Sequence, residues 1–162
     1  LVRSRGLGDV YKRQEIYTLR CDDRGNLNFS TADCCSPIPG DDTLGFITDS
    51  ETVEIHTLDC PRAQVLKAGY GPRIVATRWE NAGAKFMAHI HIEGIDRHGI
   101  LQELIALIST HLAIDIRKLD IEASAEVFTC DLWVRVISVD AVNDLCNRTM
   151  QISGITAATR IQ

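Results

Sequence analysis

The clearest pattern along the chain is the alternation of apolar and polar positions in its second half. Phe86, Ala88, Ile90 and Ile92 alternate with Met87, His89, His91 and Glu93, a period of two that predicts a strand with one buried face. From Asp96 the period changes. Ile100, Leu101, Leu104, Ile105, Leu107 and Ile108 recur at spacings of three and four, which predicts an amphipathic helix of about three turns beginning at Asp96. A second strand is expected over 114–123. Phe128, Cys130, Leu132, Val134 and Val136 mark a third by strict alternation, joined to the second through Ala125 and Glu126. Asp140 is expected to open another helix with Val142, Leu145, Cys146 and Met150 inward, Gly154 to end it, and 155–161 to form the last strand. The order is βαββαβ.

That order is the ferredoxin-like, split βαβ arrangement, one antiparallel sheet carrying both helices on one face. The first half has shorter elements and more turns. Two β-prone runs, 44–47 and 52–55, flank Thr48, Asp49, Ser50 and Glu51 and read as a hairpin with His56 at its end. Asp59 is expected to cap a short helix with Cys60 and Pro61 in its first turn, where the missing proline N–H does no harm, and with Ala63, Val65 and Leu66 inside it. Residues 69–72 stop that helix, a strand follows over 73–79, and 80–85 reads as a linker. The expected architecture is α+β: a small α/β module over 32–80 and a βαββαβ domain over 85–162, with 15–31 a linker or the end of a preceding domain.

Candidate chemistry is concentrated in the first module. Asp33, Cys34, Cys35, Ser36, Pro37, Ile38, Pro39, Gly40 and Asp41 form a turn stiffened by two prolines, and His56 and Cys60 follow about twenty residues later. Three thiols and one imidazole match a tetrahedral Cys3His zinc site with no open position, a structural rather than a catalytic arrangement. Adjacent cysteines are not the CxxC knuckle, so buried core thiols remain the alternative reading, and a Cys35–His56 thiol catalyst a third that lacks an orienting group.

The run Cys-Cys-x-Pro-Ile-Pro-Gly-Asp, then Gly45, Val53-Glu54-Ile55-His56, Cys60, and Arg73-Ile74-Val75 ending in Trp79, resembles the conserved-cysteine or zinc-finger domain of the RelA/SpoT family, which makes and hydrolyses guanosine tetra- and pentaphosphate. Thr57 stands where that family often has a basic residue, and Pro61-Arg62 replaces its frequent Pro-Asn. The first crossover, Gly94, Ile95, Asp96, Arg97, His98, Gly99, Ile100, Leu101, resembles the strand-to-helix turn of ACT domains, which close the chain in the same family. The resemblance implies zinc at Cys34, Cys35, His56 and Cys60. It implies a regulatory region that engages the ribosome, its RNA and uncharged tRNA, and that controls a catalytic half lying N-terminal to this chain. Candidate RNA-facing cations are Arg62, Lys67, Arg73 and Arg78; ordinary solvated surface is the alternative. ACT domains elsewhere bind small amino acids, which makes Gly94, Ile95, Asp96, Arg97, His98 and Gly99 a candidate ligand turn and a free-standing amino-acid sensor the competing function. Gly99 serving close packing alone is the structural alternative. ACT edge strands also imply pairing with a second copy.

Composition narrows the field. A formal charge of −5 argues against general nucleic-acid binding by electrostatics, though not against local recognition of folded RNA. No P-loop or clustered His-Asp hydrolase motif occurs, so the chain itself is expected to be non-catalytic. Neither a secretory signal nor an apolar run of about eighteen residues is present, which points to the cytoplasm, no membrane, and six reduced cysteines. His89 and His91 share a strand face, where two histidines could chelate a metal, but with no third ligand nearby they read as a solvated or interface pair; Cys130 and Cys146 read as core, and Cys21 as an ordinary thiol. Residues 4–14 show neither period, and one back-translation of them resembles a transposase adapter used in sequencing libraries, so residues 1–14 are expected to be translated adapter joined to a truncated gene, with a disordered basic tail as the alternative reading.

Overall fold

The computed structural model describes residues 16–80 and 84–162; the expected adapter segment lies outside them. Of the described residues, 16–37 and 41–80 form one compact unit, and Ile38–Gly40 with 84–162 form the other.

The first unit is a five-stranded sheet in the order β1-β5-β3-β4-β2, with β1 at Tyr17–Leu19, β2 at Ser30–Thr31, β3 at Thr43–Ile47, β4 at Val53–Thr57 and β5 at Ile74–Trp79. Strands β3 and β4 form the expected hairpin, Thr43 facing Thr57 and Ile47 facing Val53. Its turn is closed by the Thr52 carbonyl accepting from the Thr48 N–H at 2.8 Å. Helix α1 runs Pro61–Gly69, and its cap is Cys60 rather than Asp59, with no side-chain cap bond. Extended backbone at Cys60 followed by Pro61 at the first helical position starts the helix without a carboxylate. Ala63 is fully buried, whereas Val65, expected inside, is exposed. In so short a helix only the stripe through Ala63 reaches the sheet. On the side of the sheet away from the cysteines, Phe29 meets Trp79 edge to face at 5.5 Å.

The second unit has the expected βαββαβ order: β6 Phe86–Ile95, α2 Ile100–Ala106, β7 Asp115–Ser124, β8 Val127–Val136, α3 Val139–Met150 and β9 Ile155–Ile161. The sheet order β7-β8-β6-β9 is antiparallel throughout. Ala88, Ile90 and Ile92 of β6 and Cys130, Leu132 and Val134 of β8 share one buried cluster with Ile100, Leu104, Val142 and Leu145, so both helices cover one sheet face. Ile38 is fully buried in that cluster, and the Val139 N–H donates to the Pro39 carbonyl at 2.8 Å. Three expectations are corrected. Helix α2 begins at Ile100, not Asp96, because Gly99 is left-handed at φ 83° and the Asp96 N–H donates to the Glu126 carbonyl. Its last turn widens into a π-helical segment, Leu107–His111. In α3 the buried positions are Val142, Leu145 and Thr149, while Met150 is exposed; Ser138 Oγ caps that helix by accepting from the Ala141 N–H. Ala125 and Glu126 both take positive φ, closing the β7–β8 hairpin.

His89 and His91 lie on the opposite sheet face and share a partner from β8: Asp131 Oδ1 is 2.8 Å from His89 Nε2 and 3.0 Å from His91 Nδ1. Glu93 sits 3.2 Å from the other nitrogen of His91, and His89 stacks on Trp133, which also carries the Lys118 ammonium. The hydrogen bonds to Asp131 and Glu93 hold His91 above its ordinary pKa of 6.5, and His91 with His89 holds Asp131 below 3.8. The His91 contribution to stability is therefore full below pH 6.5 and lost as pH rises through its elevated value. The Asp131 contribution is present above 3.8 and lost as pH falls through its depressed value. The second unit is expected to melt at a higher temperature at pH 5.5 than at pH 8, and Asp131→Asn to reduce that difference, as calorimetry at the two pH values would show.

Candidate metal centre

Backbone pairing brings the four soft ligands together. Strand β2 runs parallel to β4 with Thr31 opposite Ile55, and the Ala32 N–H donates to the Ile55 carbonyl at 3.0 Å. The chain is thus pinned beside His56 just before it turns. The Ser36 N–H donates back to the Ala32 carbonyl at 2.9 Å, and Ser36 takes a positive φ of 43°, so Cys34 and Cys35 sit in one tight turn. His56 is the penultimate residue of β4, and the Cys60 N–H donates to the Thr57 carbonyl, returning the fourth ligand to the same point at the head of α1.

The ligand atoms of Cys34, Cys35, His56 and Cys60 all lie within 4.8 Å of one another. Cys34 Sγ is 3.4 Å from His56 Nδ1, 3.6 Å from Cys60 Sγ and 3.9 Å from Cys35 Sγ. His56 Nδ1 is 3.8 Å from Cys35 Sγ and 3.9 Å from Cys60 Sγ. A tetrahedron with metal–sulfur bonds of about 2.3 Å has edges of about 3.8 Å, so the cluster has the size of a zinc coordination sphere. Cys35, His56 and Cys60 are buried.

Burial, followed by the neighbouring Cys60 and Cys35 thiols, pushes the Cys34 thiol up to about 12. Burial also raises Cys35, against the opposing Thr57 N–H. For Cys60, burial is outweighed by the Ala63 N–H, His56, Cys34 and the Arg62 N–H, and the thiol falls to about 7. Three sulfurs this close cannot all ionise without a cation between them; a divalent metal would supply the compensating charge. Cys35, buried and raised, has the reverse of the exposure and low pKa that a nucleophile needs. The donor set fits zinc: three thiolates and one imidazole would hold it, and what it would supply is cross-linking of the fold.

Two residues not assigned a role at the cluster from sequence support it. Thr57 donates its N–H to Cys35 Sγ at 3.4 Å, and Glu54 Oε1 lies 2.7 Å from His56 Nε2. The Glu54 contact was legible, because positions two apart on a strand share a face. The Thr57 contact depends on the β2–β4 pairing and was not.

The remaining candidates are placed as follows. Arg62 and Lys67 are exposed on α1, Arg78 is exposed on β5, and Arg73, in the turn after α1, is ion-paired with Asp49. In the Gly94–Gly99 turn, Gly94 is still within β6 and the Ile95 N–H donates to the Gly154 carbonyl at 2.7 Å. Arg97 reaches the Ser153 carbonyl at 2.9 Å and Glu103 at 2.8 Å, so its guanidinium is engaged by its own domain. Cys130 is fully buried and Cys146 half-buried; Cys21 lies apart, in a turn where it bridges to Leu27.

A small sheet built around a closed Cys3His cluster, followed by a split βαβ domain, defines the class: a Cys3His module joined to an ACT domain. Comparison with known proteins agrees. Residues 16–80 match the RelA/SpoT RIS domain and 82–160 the ACT domain. A GTP pyrophosphokinase of Haemophilus influenzae is 28% identical over 141 residues, and one of Escherichia coli K12 25% over 142; these cover 84% and 85% of this chain and 19% of each relative. The bifunctional (p)ppGpp synthase/hydrolase RelA of Mycobacterium tuberculosis is 35% identical over 74 residues, 45% of this chain and 10% of that protein. The crystal structure of the ACT domain from the GTP pyrophosphokinase of Chlorobium tepidum, 27% identical, covers 48% of this chain and 100% of that one with a TM-score of 0.45. The chain belongs to the RelA/SpoT family, of which it carries the RIS and ACT domains, and it spans about a fifth of the length of the curated relatives it matches. Among the described residues no helix is long and apolar enough to cross a membrane.

Proposed function

We propose that this chain is the regulatory C-terminal region of a cytoplasmic guanosine tetra- and pentaphosphate synthetase or hydrolase. In this reading it is itself non-catalytic, and it reports starvation sensed at the ribosome and its tRNA to a catalytic half that precedes it. The observation that carries the reading is the Cys3His cluster, with Cys35, His56 and Cys60 buried and Cys34 exposed, inside the segment that matches the RIS domain, with an ACT domain next in order. A relay needs modules whose internal geometry stays fixed while their contacts change between bound and free states. Zinc would give the small first unit that rigidity.

RNA contact in so acidic a chain would be local, through Arg62, Lys67, Arg73 and Arg78, with a modest dependence on salt. Reversing Arg62 and Arg73 together to glutamate is expected to lower co-sedimentation of the chain with ribosomes by about tenfold at moderate salt, with unchanged circular dichroism. Ribosome association that survives the double reversal removes these groups from the interface.

A further inference from the structure

Glu54 and His56 occupy alternate positions of β4 and project from the same face. His56 is fully buried, and its two ring nitrogens meet different chemistry: Nδ1 faces the sulfurs of Cys34, Cys35 and Cys60 at 3.4, 3.8 and 3.9 Å, and Nε2 lies 2.7 Å from Glu54 Oε1. A neutral imidazole carries one N–H, and the nitrogen facing a carboxylate keeps it, which leaves the lone pair on the other. Strand β4 is held on both sides, by β3 and by β2, so the backbone fixes where the ring sits. It does not fix which ring edge faces inward, because a half-turn about the Cβ–Cγ bond carries Nδ1 to the place of Cδ2 and Nε2 to that of Cε1. Among the described residues Glu54 is the side chain that bonds Nε2.

We propose that Glu54 is the positioning residue of the metal centre: its carboxylate accepts the Nε2–H of His56 and commits Nδ1 to the cation. This rests on the reading of the cluster as a zinc site. At 36% side-chain exposure the Glu54 carboxylate keeps contact with water while it bonds the imidazole, and such a partner makes the ring a more basic ligand. The arrangement is a carboxylate–histidine–metal triad built from residues two apart on one strand.

The test measures zinc affinity by chelator competition for the full chain, Glu54→Gln and Glu54→Ala, together with long-range 1H–15N correlation spectra of the His56 ring in the zinc-loaded chain. The alanine variant is expected to bind zinc about 10- to 100-fold more weakly. The glutamine variant, whose amide oxygen still accepts from Nε2–H, is expected to lose about tenfold or less. The spectra are expected to show Nδ1 ligated and the proton on Nε2. Zinc bound by the alanine variant as tightly as by the unaltered chain overturns the role of Glu54. So does equal weakening in both variants, which marks packing rather than positioning, and so does ligation through Nε2. An unaltered chain that takes up no zinc overturns the metal centre itself, and this inference with it.

Discussion

Cys35→Ser is expected to abolish stoichiometric zinc binding and to unfold the first unit at 25 °C. Cys35 is buried at 3% exposure, and the cluster around it is small: Ala32, Cys35, Leu44, Cys60 and Ala63, with Ile74 packed alongside. Two of those five buried residues are candidate ligands, so on this side of the sheet a metal would take the place that a larger apolar core would otherwise fill. Zinc bound to structural sites contributes about 10–16 kcal/mol at neutral pH in isolated zinc-finger peptides, and that binding energy is folding energy when no site exists in the unfolded chain. A serine hydroxyl, far less acidic than a thiol, leaves the cation three ligands and an uncompensated position. The second unit has its own core of fully buried residues, including Ile90, Ile92, Leu104, Leu132 and Leu145, and should keep its calorimetric transition. Elemental analysis should find about one equivalent of zinc in the unaltered chain and a small fraction of that in the variant. Cys21→Ser, a thiol removed from the turn at Leu27, should lose none. Retention of full zinc content and of both transitions by Cys35→Ser would refute the structural role of the cluster.

The legible parts of this fold were those in which one physical period dominates. In β6 and β8 one face is packed under helices and the other is open, so Ala88, Ile90 and Ile92 alternate with Met87, His89 and His91, and the βαββαβ order follows from counting. The misses have local causes. Asp96 was expected to begin the helix because the apolar period changes there, but its N–H bonds the Glu126 carbonyl, and the left-handed Gly99 delays the helix to Ile100. Thr149 is buried where Met150 was expected, because position on the helix decides burial before hydropathy does. Strand β2 is two polar residues with no periodicity to detect, yet it sets Cys34 and Cys35 beside His56. The ligand set and its expected meeting at one point were readable from the soft donors; the β2–β4 pairing that brings them together was not. Asp131, the shared partner of His89 and His91, is distant in sequence and enters only through strand register.

Gly94→Ala is expected to destabilise the second unit by about 3 kcal/mol or more, and for a domain of this size to lower its melting temperature by more than about 10 °C. A methyl group built on Gly94 would stand 2.6 Å from the Gly154 carbonyl oxygen and 2.7 Å from Phe128 Cε1. Phe128 is buried at 4% exposure, and the Gly154 oxygen is held by the Ile95 N–H at 2.7 Å. Neither neighbour is the free end of a flexible side chain, so relief requires separating β6 from the turn that leads into β9, where the register already shifts between Glu93 and Gly94. Gly99 provides the contrast. A methyl there meets nothing within 4 Å, and the cost is confined to holding a non-glycine residue at φ 83°, about 1 kcal/mol. The pair separates two roles of one turn. Gly94 has a packing reason to be glycine whether or not the turn holds a ligand, so a binding defect in Gly94→Ala would reflect a damaged sheet. Calorimetric titration of Gly99→Ala with small amino acids, on a domain that still melts cooperatively, tests the ligand turn without that ambiguity. A Gly94→Ala chain with an unchanged melting temperature would show that β6 and β9 can part without cost, contrary to the close approach seen here.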